Sequence, residues 1–221
     1  MISSSKTSWN GGIKLIKYFD KNDIGVDYIV GDIHGEKTKL MKHLNRLNFN
    51  FDTDRLFCCG DLIDRGLESF ESLMLMYEPW FFSVRGNHEQ MMIDSIDDER
   101  SEYHWYMNGG LWANNMDKGD IKFYSEEIKR FLPHQIQVGS VGVVHADVGK
   151  EWKELEGDQL VSCLWDRSRI KNHLVYGESV DGIDKLYVGH TPTEEKVVIG
   201  NVHYMDSGAV FGNDFRMEKI Q

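Results

Sequence analysis

The chain has 221 residues, of which 41% are hydrophobic and 28% are charged, and its formal net charge is −11. This composition is typical of a folded globular protein and excludes a disordered chain. The acidic balance disfavours general nucleic-acid binding, which depends on Lys and Arg contacts to phosphates. No apolar run approaches the ~20 residues that a membrane-spanning helix needs.

The length is enough for one sizeable hydrophobic core, so we expect a single domain over residues 13–221. Residues 1–12 are polar and lack the apolar segment of a secretory signal, which predicts a flexible extension or a cloning remnant and a cytoplasmic protein. The three cysteines, Cys58, Cys59 and Cys163, are too few and too poorly spaced for a disulfide framework. We expect them to be reduced, buried thiols.

The first half of the chain predicts three successive strand–loop–helix units. The predicted strands cover residues 28–30, 55–59 and 80–84. The helices that follow cover residues 37–47, a segment through Leu73 and Met76, and a short segment with Met92 and Ile93. Each intervening loop contains glycine and is rich in Asp, His or Asn. In an α/β sheet such loops meet at the carboxyl ends of the strands, so they predict one shared site.

The second half of the chain changes from helix to strand. Residues 94–130 are predicted to be mostly helical, with an interruption at Asn108-Gly109-Gly110. Strands are then predicted at residues 142–144, 186–188, 196–199 and 202–205, and Gly200-Asn201 suits a two-residue hairpin turn. Residues 151–184 give no clear pattern. The fold class indicated is α/β.

Five clusters of polar residues each follow a predicted strand: Asp32 with His34, Asp61 with Asp64 and Arg65, Asn87-His88-Glu89, His145, and His190. Carboxylate, imidazole and amide groups together suit a borderline divalent metal ion. In extended backbone, Asp32 and His34 would project to one side while Ile33 enters the core. A single pair of this kind would indicate only a surface turn, but five clusters at strand ends predict a metal site.

The motifs resemble those of the phosphoprotein phosphatases, and especially the bacteriophage lambda type. The matching segments, in the family's order, are Gly-Asp-Ile-His-Gly (31–35), Gly-Asp-Leu-Ile-Asp-Arg-Gly (60–66), Arg-Gly-Asn-His-Glu (85–89), His-Ala-Asp (145–147), Gly-His-Thr-Pro (189–192) and Asp-Ser-Gly-Ala-Val (206–210). The resemblance implies a calcineurin-like metallophosphoesterase fold. In that fold a central β-sandwich is flanked by helices, and the metal site lies at the C-terminal ends of the strands.

The resemblance also implies roles for individual residues around two divalent ions. Mn²⁺ is the ion it favours, although Fe, Zn and Ni suit the same ligands. The implied ligands are Asp32 and His34 for the first ion, Asp61 as the bridge, and Asn87, His145 and His190 for the second. A hydroxide bridging the ions would attack phosphorus directly. The implied catalytic residues are His88 as general acid, Asp64 as its orienting partner, and Arg65 and Arg167 as phosphate ligands.

Several alternatives remain at the level of single residues. Arg169 competes with Arg167, and both arginines could form surface ion pairs instead. His88 could be a metal ligand, although adjacent Asn87 and His88 on an extended segment would point to different partners. Glu89 is expected to be structural, bonded to backbone or to an arginine. The remaining histidines are expected to face solvent or to make ordinary hydrogen bonds: His43, His104, His134, His173 and His203.

Three functions compete. The first is a protein Ser/Thr phosphatase with some activity on phosphotyrosine, acting on phosphoproteins without an obligate regulatory subunit. The second is a hydrolase of diadenosine tetraphosphate or another small phosphoester. The third is an inactive binding module, which the complete set of expected ligands disfavours. The resemblance favours the first, since the dinucleotide hydrolases usually carry Ala where Asp64 stands and Asp where Glu89 stands.

Overall fold

A computed structural model describes residues 15–172 and 177–220. The proposed extension at residues 1–12 and the side chain of His173 lie outside these ranges. Within these ranges ten strands form two sheets, numbered here in chain order. They are β1 Ile16–Phe19, β2 Asp27–Val30, β3 Arg55–Cys58, β4 Phe81–Ser83, β5 Gln135–Val138, β6 Val141–Val144, β7 Lys185–Val188, β8 Val197–Ile199, β9 Val202–Tyr204 and β10 Met217–Lys219.

Seven α-helices are found within the described residues. They are α1 Lys37–Arg46, α2 Ser69–Leu73, α3 Asn87–Asp94, α4 Glu99–Met107, α5 Lys118–Phe131, α6 Gln159–Trp165 and α7 Ser168–Lys171. Short 3-10 helices cover Met74–Tyr77, Gly110–Asn115 and Ala209–Phe211. Among the described residues, no helix has both the length and the apolar composition needed to cross a bilayer.

The smaller sheet has the strand order β10-β2-β3-β4, and the larger sheet has the order β1-β5-β6-β7-β9-β8. Strands β2, β3 and β4 are parallel, because helices α1 and α2 carry the chain back between them. Strands β6 and β7 are also parallel. The loops that follow β2, β3 and β4 therefore share one edge of the smaller sheet.

The alternation of side chains along each strand builds a sandwich. Ile29 and Phe57 face the second sheet, where they pack against Val143 and Tyr187. The residues next to them in the sequence, such as Val30 and Leu56, point the other way, into a core shared with the helices α1 and α3 to α5. On the outer face of the larger sheet, Leu186 packs under the segment that contains α6. The period-two pattern thus buries both faces of the central strands β2, β3, β6 and β7, which confirms the predicted α/β sandwich flanked by helices.

The predicted elements match the structure with boundary shifts of one or two residues, apart from the following differences. Strands β1, β5 and β10 were not predicted, and α6 and α7 lie in the segment that gave no clear pattern. Helix α3 begins at Asn87, so Asn87 and His88 belong to a helix N-terminus and the expected extended segment is wrong. His34 has a φ of 46°, so a turn, not extended backbone, separates it from Asp32. Ile33 is fully buried in the core, as predicted.

Candidate metal centre

Five loops from the two sheets meet around the carboxylate of Asp61. The loops that follow β2, β3 and β4 come from the smaller sheet, and those that follow β6 and β7 come from the larger one. Asp61 Oδ2 lies 3.5 Å from His34 Nε2, 3.9 Å from His88 Nε2 and 3.4 Å from His145 Nε2. All four side chains are buried. The sequence motifs are therefore brought together at the carboxyl ends of the strands.

The backbone of these loops is strained where it presents the functional side chains. Six non-glycine residues among the described residues have a left-handed φ, and five of them belong to the predicted site. Those five are His34, Asp61, Asp64, Arg65 and His190. Each such conformation costs on the order of 1–3 kcal/mol and persists only where the surroundings enforce it. The concentration of strain here marks the loops as a functional site.

Hydrogen bonds between neighbouring loops enforce this geometry. The amides of Ile33 and His34 both donate to the carbonyl oxygen of Asp61, at 3.0 and 2.8 Å. The fully buried carboxylate of Glu89 accepts four backbone N–H groups, at 2.7 to 3.3 Å. Its donors are Asp61, Leu62, Ile63 and Gly86. Glu89 thus ties the second loop to the third, in agreement with the structural role expected for it.

One candidate ion position, the one implied for the second ion, groups Asp61, His145 and His190, whose donor atoms all lie within 4.8 Å of one another. His145 Nδ1 donates to the Cys59 carbonyl at 2.7 Å, and His190 Nε2 donates to the Trp165 carbonyl at 3.2 Å. Each ring therefore turns an unprotonated nitrogen inwards. Burial keeps both rings neutral, lowering the pKa of His190 to about 3 and lowering that of His145.

The amide oxygen of Asn87 completes this group. It lies 2.8 Å from His145 Nε2 and 2.9 Å from His190 Nδ1. Four acceptor groups therefore converge on one point: the lone pairs of the two imidazole rings, the amide oxygen of Asn87 and the carboxylate of Asp61. None of these atoms carries a proton that it could donate to the others. A divalent cation satisfies such a donor set, and the carbonyl partners of the two rings are the supports that metal-binding histidines typically have. The residues present therefore fit a metal ion.

A second group of donor atoms consists of His34, Asp61 and His88, again within 4.8 Å of one another. His34 Nδ1 donates to the Ile63 carbonyl at 2.9 Å, which leaves Nε2 as a lone-pair donor. Burial lowers the pKa of His34 to about 3. Arg65 Nη1 donates to that Nε2 at 2.5 Å. Asp61 belongs to both groups, which is the arrangement expected of a bridging carboxylate.

Asp32 belongs to neither of these groups and stands beside Asp206, the first residue of the matched segment 206–210, for which the sequence implied no role. The oxygens of Asp32 accept the backbone N–H of His190 at 3.0 and 3.2 Å. Burial and then repulsion from Asp206 and Asp61 raise the pKa of Asp32 well above its usual value. Burial, with Asp61 nearby, also raises the pKa of Asp206. Paired buried acids of this kind favour a bound cation.

His88 differs from the other three histidines in the partner of its second nitrogen. Its Nδ1 lies 2.7 Å from Asp64 Oδ2, so a carboxylate, not a carbonyl, faces the ring. Burial would lower the pKa of His88, but the charges of Asp61 and Asp64 outweigh it and the pKa is raised. This environment favours a ring that carries a proton on both nitrogens.

The two competing arginines have different surroundings. Arg167 is exposed, and its Nη2 donates to the His190 carbonyl at 3.2 Å. Arg169 is fully buried and bonds the Asp147 carboxylate at 2.9 and 3.2 Å. The alternative in which both form surface ion pairs is therefore wrong for Arg169. Arg65 and Arg167 both border the candidate metal centre, through His34 and His190.

Other predictions about single residues have mixed outcomes. The three cysteines are free and buried, as expected. His104 is exposed as expected, whereas His43 and His203 are half-buried and their Nδ1 atoms have no hydrogen-bond partner among the described residues, which contradicts the expectation. His134 contradicts the expectation, because it is 7% exposed and its Nδ1 has no hydrogen-bond partner among the described residues. Two tryptophans to which the sequence assigned no role in the site, Trp105 and Trp112, pack in the core and also bond the Asp64 carboxylate.

Comparisons with known proteins agree with this geometry. Residues 28–212 match the model of the calcineurin-like phosphoesterase family. Serine/threonine-protein phosphatase 1 of Salmonella typhimurium is 36% identical over 88% of this chain and 91% of its own length. Serine/threonine-protein phosphatase 2 of Escherichia coli is 33% identical over 88% of this chain and 92% of its own.

More distant matches include other phosphoesterases. A symmetrical bis(5'-nucleosyl)-tetraphosphatase of Pseudomonas entomophila is 28% identical over 73% of this chain and 61% of its own length. A solved structure of a candidate diadenosine tetraphosphatase has a TM-score of 0.69 at 20% identity, covering 92% of this chain and 93% of that one. A Saccharomyces cerevisiae protein serine/threonine phosphatase has a TM-score of 0.62 at 14% identity, covering 88% and 71%. Together with the matched motifs, these findings show that the chain belongs to the calcineurin-like phosphoesterase family.

Proposed function

We propose that this chain is a metal-dependent protein Ser/Thr phosphatase that hydrolyses phosphomonoesters and accepts phosphotyrosine as a further substrate. The observation that carries the proposal is the Asp61 carboxylate, which is shared by two groups of buried donor atoms, one with His145 and His190 and one with His34 and His88. Within the second group we assign His88 as the acid, because its other nitrogen faces the Asp64 carboxylate. The substrate class is supported by relatives named serine/threonine-protein phosphatases that match this chain over most of their length. No obligate regulatory subunit is part of the proposal.

The proposed cofactor is a pair of divalent ions, Mn²⁺ by preference. We assign Asp32 and His34 to the first ion, Asp61 to both, and the remaining ligands, Asn87, His145 and His190, to the second. Two such ions would polarise the phosphoryl oxygens and lower the pKa of a water molecule towards neutrality, which allows direct attack on phosphorus. The convergence of lone pairs from Asn87, His145 and His190 supports the assignment of the second ion.

The protein's own groups would orient the ester and supply a proton. Arg65 and Arg167 border the centre beside His34 and His190 and would bind phosphate oxygens, which guanidinium groups match in geometry. His88 would give the proton on Nε2 to the departing alkoxide, a contribution of roughly 10²–10⁴-fold. Asp64 would keep His88 oriented and protonated through the 2.7 Å contact to Nδ1.

The experiment that tests the proposal compares two substrates in parallel. Protein stripped with a chelator and resupplied with Mn²⁺ is assayed on a phosphoserine peptide and on diadenosine tetraphosphate, with a phosphotyrosine peptide as a third arm. We expect metal-dependent turnover that favours the phosphoserine peptide. Preference for the dinucleotide would overturn the substrate class, and no turnover on any substrate would overturn the proposal.

The second candidate, a dinucleotide tetraphosphate hydrolase, is favoured by the matches to bis(5'-nucleosyl)-tetraphosphatases. Their identity and coverage are lower than those of the protein phosphatases, so the dinucleotide hydrolase ranks second.

A cytoplasmic location completes the proposal. It is supported by the three free, buried thiols, since reduced cysteines are usual in that compartment.

A further inference from the structure

The Asp64 carboxylate is bonded from three sides. Trp112 Nε1 donates to Oδ1 at 2.7 Å, and Trp105 Nε1 lies 2.9 Å from Oδ2 and 3.1 Å from Oδ1. His88 Nδ1 takes the remaining side, at 2.7 Å from Oδ2. A carboxylate has about four lone-pair sites, so these donors saturate it and leave one orientation. Asp64 and Trp105 are fully buried.

The local sequence explains how two indoles reach one carboxylate. Trp105 lies on α4 and Trp112 on the following 3-10 helix. Asn108-Gly109 joins the two, and Gly110 begins the 3-10 helix. Gly109 has a φ of 116°, and a Cβ there would lie 2.7 Å from the Arg65 amide. A Cβ on Gly110 would lie 2.7 Å from the Trp105 indole. The two glycines therefore let the chain close tightly, so that the rings meet edge to face with centroids 6.1 Å apart.

We propose that Trp105 and Trp112 are positioning residues for proton donation, because their N–H groups fix the Asp64 carboxylate that aims His88 at the leaving oxygen. The inference rests on the proposed function. In the step concerned, a water oxygen forms the new bond to phosphorus and the bond to the leaving oxygen breaks with its electron pair. The leaving oxygen takes the proton from His88 Nε2. The attacking water releases a proton, which restores the protonated form of His88.

A purely structural role for the indoles makes a different prediction, and the leaving group separates the two. 2,4-Dinitrophenolate departs without a proton, whereas phenolate is a much poorer leaving group and benefits from an acid. Loss of proton donation therefore slows hydrolysis of phenyl phosphate selectively. Damage to the fold or to metal binding slows both esters equally.

The experiment uses the Mn²⁺-loaded protein and the variants Trp105→Phe and Trp112→Phe, which keep an aromatic ring and lose the N–H. We expect kcat on phenyl phosphate to fall by about 10-fold for each variant with KM unchanged, since a positioned acid contributes roughly 10²–10⁴-fold in total. On 2,4-dinitrophenyl phosphate we expect a change within about 3-fold, because no acid is needed. Trp152→Phe is the matched control, since its indole donates to Gln137 at 2.7 Å in another part of the molecule.

Two further measurements complete the test. In a His88→Asn background, Trp112→Phe should cause no additional loss on phenyl phosphate, because residues acting through one group are not additive. In ¹H–¹⁵N spectra, Asp64→Asn should shift two indole N–H resonances, those lost in Trp105→Phe and in Trp112→Phe. If Trp105→Phe does not fold, the half-buried Trp112 carries the test alone.

The possible outcomes separate the inference from the function on which it rests. Equal losses on both esters, or no loss on either, would overturn the positioning role while leaving the phosphatase proposal intact. Failure of the unaltered protein to hydrolyse either ester would refute the proposed function, and the inference with it. Selective loss on phenyl phosphate would support both.

Discussion

At the scale of single residues, the four histidines of the site are distinguished by what their second nitrogen touches. His34, His145 and His190 each donate to a backbone carbonyl, which fixes a neutral ring with its lone pair turned inwards. His88 faces the Asp64 carboxylate instead, which stabilises a protonated ring. The sequence shows only that each position is histidine. The partner, and with it the division between ligand and acid, comes from the fold.

Replacing His88 tests this division directly. We expect His88→Asn to lower turnover on a phosphoserine peptide by roughly 10²–10⁴-fold while two Mn²⁺ per chain remain bound, because the acid is lost and the ligands stay. Metal analysis after dialysis and steady-state kinetics measure the two quantities. His34→Asn is the matched control and should lose metal. If His88→Asn also loses an ion, His88 is a ligand and the assignment as acid is wrong.

Replacing Glu89 tests the buried carboxylate that joins two loops. Glu89→Ala leaves the amides of Asp61, Leu62, Ile63 and Gly86 without their acceptor. We expect a loss of about 2–5 kcal/mol in the free energy of unfolding, since buried unpaired groups cost more than a hydrogen bond contributes. Urea denaturation measures it. Exposed Glu126→Ala should leave the midpoint almost unchanged, and an equally small effect at Glu89 would contradict the bridging role.

At the scale of loops and helices, glycines in two of the loops lie directly against the carboxylates of Asp61 and Asp32. A Cβ on Gly86 would lie 2.1 Å from Asp61 Oδ1, and a Cβ on Gly189 would lie 1.9 Å from Asp32 Oδ1. No side chain fits at either position without moving a carboxylate. The glycines in these motifs therefore serve the site by close approach, which the sequence alone did not reveal.

These contacts predict the effect of adding one methyl group. Gly86→Ala and Gly189→Ala should each weaken Mn²⁺ binding by about 10–100-fold, the range typical of disturbed supports around a metal ion. Titration calorimetry on chelator-stripped protein measures the affinity. Gly149→Ala is the control for backbone strain without a steric contact, because its φ of 79° disfavours alanine but no atom lies within 4 Å of a Cβ there. It should leave the Mn²⁺ affinity unchanged. Unchanged affinity in Gly86→Ala would show that Asp61 is free to move.

The strands that the sequence did not predict show the limit of reasoning from local pattern. Strand β5 contains Gln135 and Gln137, whose polar side chains argue against a buried strand. In the structure their amides bond the Lys153 carbonyl and the Trp152 indole, partners far along the chain. Strands β1 and β10 are partly exposed sheet edges and show little alternation. Pairing partners, which are tertiary, decide all three strands.

At the scale of the whole molecule, the candidate metal centre connects the two sheets of the sandwich. Asp32, Asp61 and Asn87 follow strands of the smaller sheet, whereas His145 and His190 follow strands of the larger one. Ions bound by both sets would link the sheets at their shared edge. Binding of metal and stability of the fold should therefore be coupled, since a ligand that binds only the folded state stabilises it.

Thermal unfolding measures this coupling. We expect Tm to rise with Mn²⁺ concentration, by an amount equivalent to about 2.7 kcal/mol when free metal is 100 times Kd. In Asp61→Asn, which removes the proposed bridge, the dependence should largely disappear. Mg²⁺ or Zn²⁺ in place of Mn²⁺ compares other ions in the same assay. A Tm that does not respond to any of these ions would contradict the coupling of the sheets through metal.

Acid stability provides a second test at this scale, through His134. Burial, and then the charge of Arg85, lowers the pKa of His134 to about 4. Below the usual pKa of about 6.5 the unfolded chain takes up a proton that the folded protein rejects. Stability should therefore fall as the pH drops from about 6.5 to 4, by at most about 1.4 kcal/mol per pH unit from this group. Urea unfolding of His134→Gln should show a shallower decline, and an identical decline would contradict the shift.

The sequence by itself determined the family, the class of fold and the chemical identity of the site. These follow from order along the chain: strand, glycine-containing loop with Asp, His or Asn, then helix, repeated three times. Parallel strands place such loops at one edge whatever the details of packing, so the meeting of Asp32, Asp61 and Asn87 in one region was predictable. The pair Asp64-Arg65, which differs from the dinucleotide hydrolase pattern, could also be recognised from a short stretch of sequence.

Only the tertiary structure decided which groups share protons and which share a cation. Asp206 faces Asp32 from 174 positions further along the chain, and Trp105 and Trp112 reach Asp64 across more than 40 residues. The separation of exposed Arg167 from buried Arg169 likewise depends on Asp147. A short sequence pattern indicates the backbone conformation that its residues prefer and the spacing of its apolar side chains. Hydrogen-bond partners and the field at a carboxylate depend on atoms that are close in space and distant in sequence.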